Sequence, residues 1–162
     1  MRLRKLLPLL LFAGVSALAF ACGGDGGVEH IGSPEASATG TAQAELTVNP
    51  NAEVLNVQMG EWFVRPERSS ARAGDLTLSA RNGGTTLHEL VVIKTDTAED
   101  KLPATNGKVD EEKAGEVIGE IDQFNAGLTR AGTLNLKAGK YVFICNIVGH
   151  YELGMHAAFT VQ

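Results

Sequence analysis

The sequence predicts an all-β domain, a two-sheet sandwich or a barrel, and three observations carry that expectation. From Glu45 onward the chain falls into apolar runs of about 5 to 9 residues. Several alternate with period two, as Leu76, Leu78 and Ala80 do against Thr77, Ser79 and Arg81. Glycine-rich turns stand between the runs, at Gly74, Gly83 and Gly84, Gly127 and Gly139. Many short strands punctuated in this way build stacked or closed sheets.

Taken in order, the predicted strands are ELTVNP from Glu45, EVLNVQM from Glu53, EWFVRP from Glu61, DLTLSARN from Asp75 and LHELVVIKT from Leu87. After them come VIGEIDQF from Val117, GTLNLKAG from Gly132, KYVFICN from Lys140 and MHAAFTVQ from Met155. The polar segment 96–115, with Pro103 and an Asn106-Gly107 turn, interrupts the series. It reads as a long surface connection between sheets, with room for a helical turn or two.

The N-terminal quarter is of another kind. Arg2, Arg4 and Lys5 precede an apolar run from Leu6 to about Ala21, the layout of an export signal and shorter than the roughly 20 residues of a membrane span. Cys22, followed by Gly23 and Gly24, resembles a bacterial lipoprotein processing site, which implies lipidation of Cys22. Ala19 stands where such sites commonly carry leucine, and ordinary cleavage after Ala-Phe-Ala is the alternative. Residues 22–44 are rich in Gly, Ser, Thr and Ala, lack aromatic residues and read as a disordered, flexible tether. His30 within it is read as incidental. The expected organisation is therefore a signal peptide at 1–21, a tether at 22–44 and one folded domain at 45–162, located on the periplasmic or cell-surface side of a membrane and anchored through lipid at Cys22.

The 162-residue chain has 14 Lys plus Arg and 19 Asp plus Glu; three of the basic residues lie in 1–21, so the mature chain carries a net charge of about −8. Such a balance offers no electrostatic footprint for nucleic acid.

Chemistry concentrates near the C-terminus, where Cys145, His150, Met155 and His156 stand in the pattern C-x4-H-x4-M-H. If Cys22 is lipidated or lost, Cys145 has no disulfide partner, and a free thiol in an oxidising compartment needs another occupant. Strand alternation puts Met155 in phase with Ala157, Phe159 and Val161, facing the core, and His156 on the opposite, solvent-facing side. Cys145 is in phase with Tyr141 and Phe143. The further histidine of the folded region, His88, opens the LHELVVIK strand just after the Asn82-Gly83-Gly84 turn, where a strand end can reach the same site.

Singly, each residue has a plain role, the thiol as a small apolar group, His150 as a loop residue and Met155 as core filling. Jointly, two imidazoles, a thiolate and a weak axial thioether make the ligand set of a blue-copper electron-transfer site. Zinc does not select methionine, and calcium and magnesium want oxygen.

With these residues in place, the chain resembles the cupredoxins over about Val54 to Gln162. YVFICNIVGHYELGMHAAFTVQ is similar to the ligand loop of the rusticyanin and sulfocyanin type, and AGDLTLSARNGGTTLHELVVIKTD to the segment that delivers the first histidine. The resemblance implies an eight-stranded, mostly antiparallel Greek-key β-sandwich with one type 1 copper ion. His88, Cys145 and His150 would be its equatorial ligands and Met155 the axial one. It also implies an electron carrier rather than an enzyme, expected as a monomer, with His150 reaching partner proteins through an apolar patch of Ile147, Val148, Tyr151 and Leu153. Several family members carry Asn or Ser directly after the first histidine; this chain has Glu89. A copper carrier or scavenger without redox work is the alternative function. A copper oxidase would need further histidines, and a Cys-His nucleophile pair lacks an orienting motif.

Overall fold

A computed structural model describes residues 46–162. The expected signal peptide, Cys22, the tether with His30 and the first residue of the expected domain lie outside the described residues. The strands are β1 (Glu53–Gly60), β2 (Phe63–Pro66), β3 (Ser70–Ala71), β4 (Gly74–Asn82), β5 (His88–Lys94), β6 (Ala104–Thr105) and β7 (Lys108–Val109). A one-turn helix α1 (Glu111–Ala114) follows, then β8 (Glu116–Phe124), β9 (Thr129–Leu136), β10 (Gly139–Ile144) and β11 (His156–Val161). Eight of these strands have four residues or more, as the family resemblance implies.

They form a sandwich. One sheet has the order β2-β1-β4-β9 and the other β3-β11-β10-β5-β8, with β6 and β7 pairing separately. Most pairings are antiparallel; β1 with β4 and β11 with β3 are parallel. The predicted strand at Glu45 does not form. Residues 46–49 run irregularly beside β9, where the Thr133 N–H donates to the Thr47 carbonyl and Asn49 N–H to Thr133 Oγ1.

Alternation explains the packing. On β1, Leu55, Val57 and Met59 are buried while Val54, Asn56 and Gln58 are exposed. Those three meet Leu76, Leu78 and Ala80 of β4 and, from the other sheet, Leu90, Val92, Phe143, Phe159 and Val161. Burying each such side chain stabilises the fold by about 1.5–3 kcal/mol.

The β5 strand is buried on both faces, which its unbroken run LVVI reflects. Leu90 and Val92 enter the sandwich; Val91 and Ile93 enter a second apolar cluster with Val142, Ile144, Tyr151, Leu102, Val109 and Ala114. This corrects the reading of 96–115 as a surface connection between sheets. The segment leaves β5 and returns to β8, its antiparallel neighbour in the same sheet, and its apolar residues cover that sheet's outer face. Its hairpin turn is Asn106-Gly107, with positive φ at both residues (54° and 79°), a conformation that Asn and Gly tolerate.

Candidate metal centre

Two segments meet at one end of the sandwich. The first is the turn between β4 and β5. Asn82, fully buried at the end of β4, accepts from the Gly84 N–H (3.0 Å) and donates to the carbonyls of Thr86 (2.8 Å) and Phe124 (3.1 Å). An Asx turn of this kind fixes the path of the chain into His88, the first residue of β5.

The second is the loop from Cys145, just past β10, to Met155, just before β11. Its ends are tied by a hydrogen bond from the Cys145 N–H to the Met155 carbonyl (3.0 Å). Inside it, Met155 N–H donates to the His150 carbonyl (3.1 Å) and His150 N–H to that of Ile147 (2.9 Å). Gly149 takes a φ of 84° and donates to the Gly107 carbonyl (2.7 Å), which ties the loop to the β6–β7 hairpin. Asn146, also buried, adds a two-way clasp with Val109, accepting from its N–H (2.7 Å) and donating to its carbonyl (3.1 Å).

These constraints bring His88, Cys145 and His150 together, with their ligand atoms all within 4.8 Å of one another and all three side chains buried. Cys145 Sγ lies 3.4 Å from His150 Nδ1 and 3.9 Å from His88 Nδ1, and the imidazoles meet edge to face. Met155 is fully buried at the far end of the same loop.

The electrostatics suit a cation. Burial pushes the Cys145 thiol up to about 11, against the N–H groups of Glu89 and Ile147 that favour its thiolate, so a thiolate here needs a positive partner. Burial, then the neighbouring His150, hold His88 below the usual histidine range, which keeps a neutral imidazole with a free lone pair. One cysteine sulfur and two imidazoles, converging and buried together, fit a type 1 copper ion.

The other expected residues divide. Glu89 does not interrupt the site: its backbone N–H donates to Cys145 Sγ (3.5 Å) whatever its side chain, which instead accepts from Gln123 Nε2 (3.1 Å). His156 does point away from the metal group, but it is not a surface histidine. It is half-buried with its ring 5.3 Å from that of Tyr151, because the 96–115 segment covers that face of the sheet. Within the apolar patch, Val148 and Leu153 are exposed and Ile147 is half-buried. Tyr151 is a correction: it is 6 % exposed, and its hydroxyl donates to the Glu99 carbonyl and accepts from the Leu102 N–H, so it anchors the covering segment.

Sequence reading missed two neighbours, Glu61 and Trp62, at the tip of the β1–β2 hairpin. Trp62 is partly exposed and meets His150 edge to face at 5.0 Å between ring centroids, leaving His150 only 9 % exposed. Glu61 Oε1 lies 3.6 Å from His88 Nε2. The one available signal was the chain's single tryptophan, at the start of the predicted strand EWFVRP.

No family model matches the chain, and no curated protein does. Among solved structures, the chain is similar to reduced auracyanin from Roseiflexus castenholzii, at 21 % identity over 68 % of this chain and 98 % of that one, with a TM-score of 0.51. It is similar to auracyanin B at 19 % identity over 74 % and 96 %, with a TM-score of 0.53. The chain has the cupredoxin fold. A rusticyanin from Thiobacillus ferrooxidans aligns at 15 % identity over 72 % of this chain and 86 % of its own, with a TM-score of 0.45. In this cupredoxin fold the metal group sits where the β4–β5 turn and the β10–β11 loop meet, at one end of the sandwich. Among the described residues it is the one cluster of three such ligands.

Proposed function

We propose that this chain is a one-electron carrier whose type 1 copper is held by His88, Cys145, His150 and Met155. The observation that carries the reading is the buried His88–Cys145–His150 group, whose ligand atoms converge within 4.8 Å. When bound, copper supplies a reversible one-electron couple.

The chain's own residues do the rest. The Cys145–Met155 backbone tie and the Asn82 turn hold the ligands in place before any metal arrives, so little of the site has to rearrange when charge changes. The Glu89 N–H steadies the sulfur, and the surrounding apolar residues keep water out. His150 lies nearest the surface of the four proposed ligands, beside Trp62 and the exposed Val148 and Leu153. That edge is the proposed contact for redox partner proteins. Export, anchoring at Cys22 and a place in an extracytoplasmic redox chain belong to the same proposal, supported by the N-terminal sequence.

The deciding experiment adds copper(II) to the purified chain and records visible and EPR spectra. An intense thiolate-to-copper band with narrow hyperfine splitting, lost in Cys145→Ser, is expected. Colourless, weakly held copper that a chelator removes at once would sink the electron-transfer reading and leave the carrier function.

A further inference from the structure

His88 presents Nδ1 to Cys145, and its other ring nitrogen, Nε2, is buried with no hydrogen-bond partner among the described residues. What faces Nε2 is the carboxylate of Glu61, from a hairpin that supplies no ligand. At 3.6 Å the contact is longer than a hydrogen bond, and the attraction is that of a fixed negative charge for an N–H dipole.

The carboxylate is built into its place. Glu61 Oε1 accepts from the Thr85 N–H (2.8 Å), the Thr86 N–H (3.0 Å) and the Thr86 hydroxyl (3.0 Å), all from the turn that leads into His88. Gly84 makes the approach possible. A Cβ there would lie 2.6 Å from both carboxylate oxygens, although the Gly84 backbone is outside the left-handed region, so space rather than torsion calls for glycine.

We propose that Glu61 is a positioning residue of the metal centre: held by the Thr85–Thr86 backbone, it orients the His88 N–H at Nε2, frees Nδ1 for the metal and biases the couple toward the more highly charged copper(II). This rests on the copper reading for the potential, but the tautomer of His88 does not depend on it. Carboxylates that orient a ligating histidine in this way are a general device of metal sites. Here the carboxylate reaches the histidine from the tip of the β1–β2 hairpin, beside the β4–β5 turn that carries the chain from one sheet to the other.

The test has a metal-free arm and a copper arm. In the metal-free, 15N-histidine-labelled chain, ring nitrogen shifts should show His88 as the single Nε2–H tautomer, turning into a mixture in Glu61→Ala. Gly84→Ala should do the same by displacing the carboxylate while leaving Glu61 present. In the copper-loaded chain, Glu61→Gln, which keeps an acceptor for the threonine N–H groups, should raise the potential. A shift of about tenfold in the ratio of copper(II) to copper(I) affinity corresponds to about 59 mV for a one-electron couple. An unchanged His88 tautomer in both Glu61→Ala and Gly84→Ala overturns the positioning role, and an affinity ratio changed less than about twofold overturns the bias on the couple. If the wild-type chain forms no blue site, the functional reading fails, and the metal-free tautomers alone decide the role of Glu61.

Discussion

Replacing Asn82 with alanine should cost far more stability than a surface substitution, because one buried amide closes the β4–β5 turn with three hydrogen bonds. The bond to the Phe124 carbonyl is buried, and leaving that acceptor unpaired costs about 1–3 kcal/mol. The bonds to the Thr86 carbonyl and from the Gly84 N–H are partly buried, and each contributes about 0.5–1.5 kcal/mol net. The total is about 2–6 kcal/mol, centred near 4, which for a domain of roughly 120 residues lowers Tm by about 8–24 °C. Asn82→Asp keeps the acceptor for Gly84 but sets a carboxylate against two carbonyl oxygens, so at pH 7 it should be at least as destabilising. Its sign with pH follows. The introduced carboxyl has a raised folded-state pKa, so its stability is fully present below the unfolded value of about 3.9 and is lost as pH rises through the folded one. Urea unfolding of the metal-free chain, followed by circular dichroism from pH 3 to 7, measures both variants. A loss under about 1 kcal/mol in Asn82→Ala, or an Asn82→Asp variant as stable as the parent at pH 7, would refute the argument.

Met155→Leu conserves volume in a fully buried site and should cost less than about 1.5 kcal/mol, while shifting the potential of the copper-loaded chain and preserving its colour; loss of the thiolate band on voltammetry samples would count against an axial role. Tyr151→Phe removes one donor and one acceptor contact to the 96–115 segment. It should destabilise the chain by about 1–3 kcal/mol, with hydrogen exchange at Leu102 accelerating first; uniform exchange across the chain would contradict an anchoring role. Asp75, hydrogen-bonded by Asn135 and then Asn49, is held below the usual carboxylate range. Its contribution is present above the unfolded pKa and is lost as pH falls through the folded one, so Asp75→Asn should flatten the decline in thermal stability below about pH 4. Identical acid slopes in the two chains would exclude it.

The sequence was most legible where one physical rule governs many residues. Period-two alternation located β1, β4 and β11 and placed Met155 and His156 on opposite faces, because a strand has only two faces to offer. It failed at Glu45, where the apolar residues of the predicted strand run beside β9 without the ladder that defines one. It also misjudged His156. Alternation says which way a side chain points from its own sheet, and it is silent on whether another segment covers that side.

By itself the sequence determined the fold class, the four candidate ligands and the chemistry they suit, since donor type and spacing are local properties. Tertiary structure alone decided the rest. It folded a polar-looking excursion back over the sheet it left, burying Tyr151 and half-burying His156. It brought Glu61 to the back of His88 and Trp62 to the edge of His150, contacts between segments separated by 27 and 88 residues, which no local pattern encodes. Hydrophobic burial closes the sandwich without regard to distance along the chain, and the polar groups at its end then meet whatever the closure places beside them.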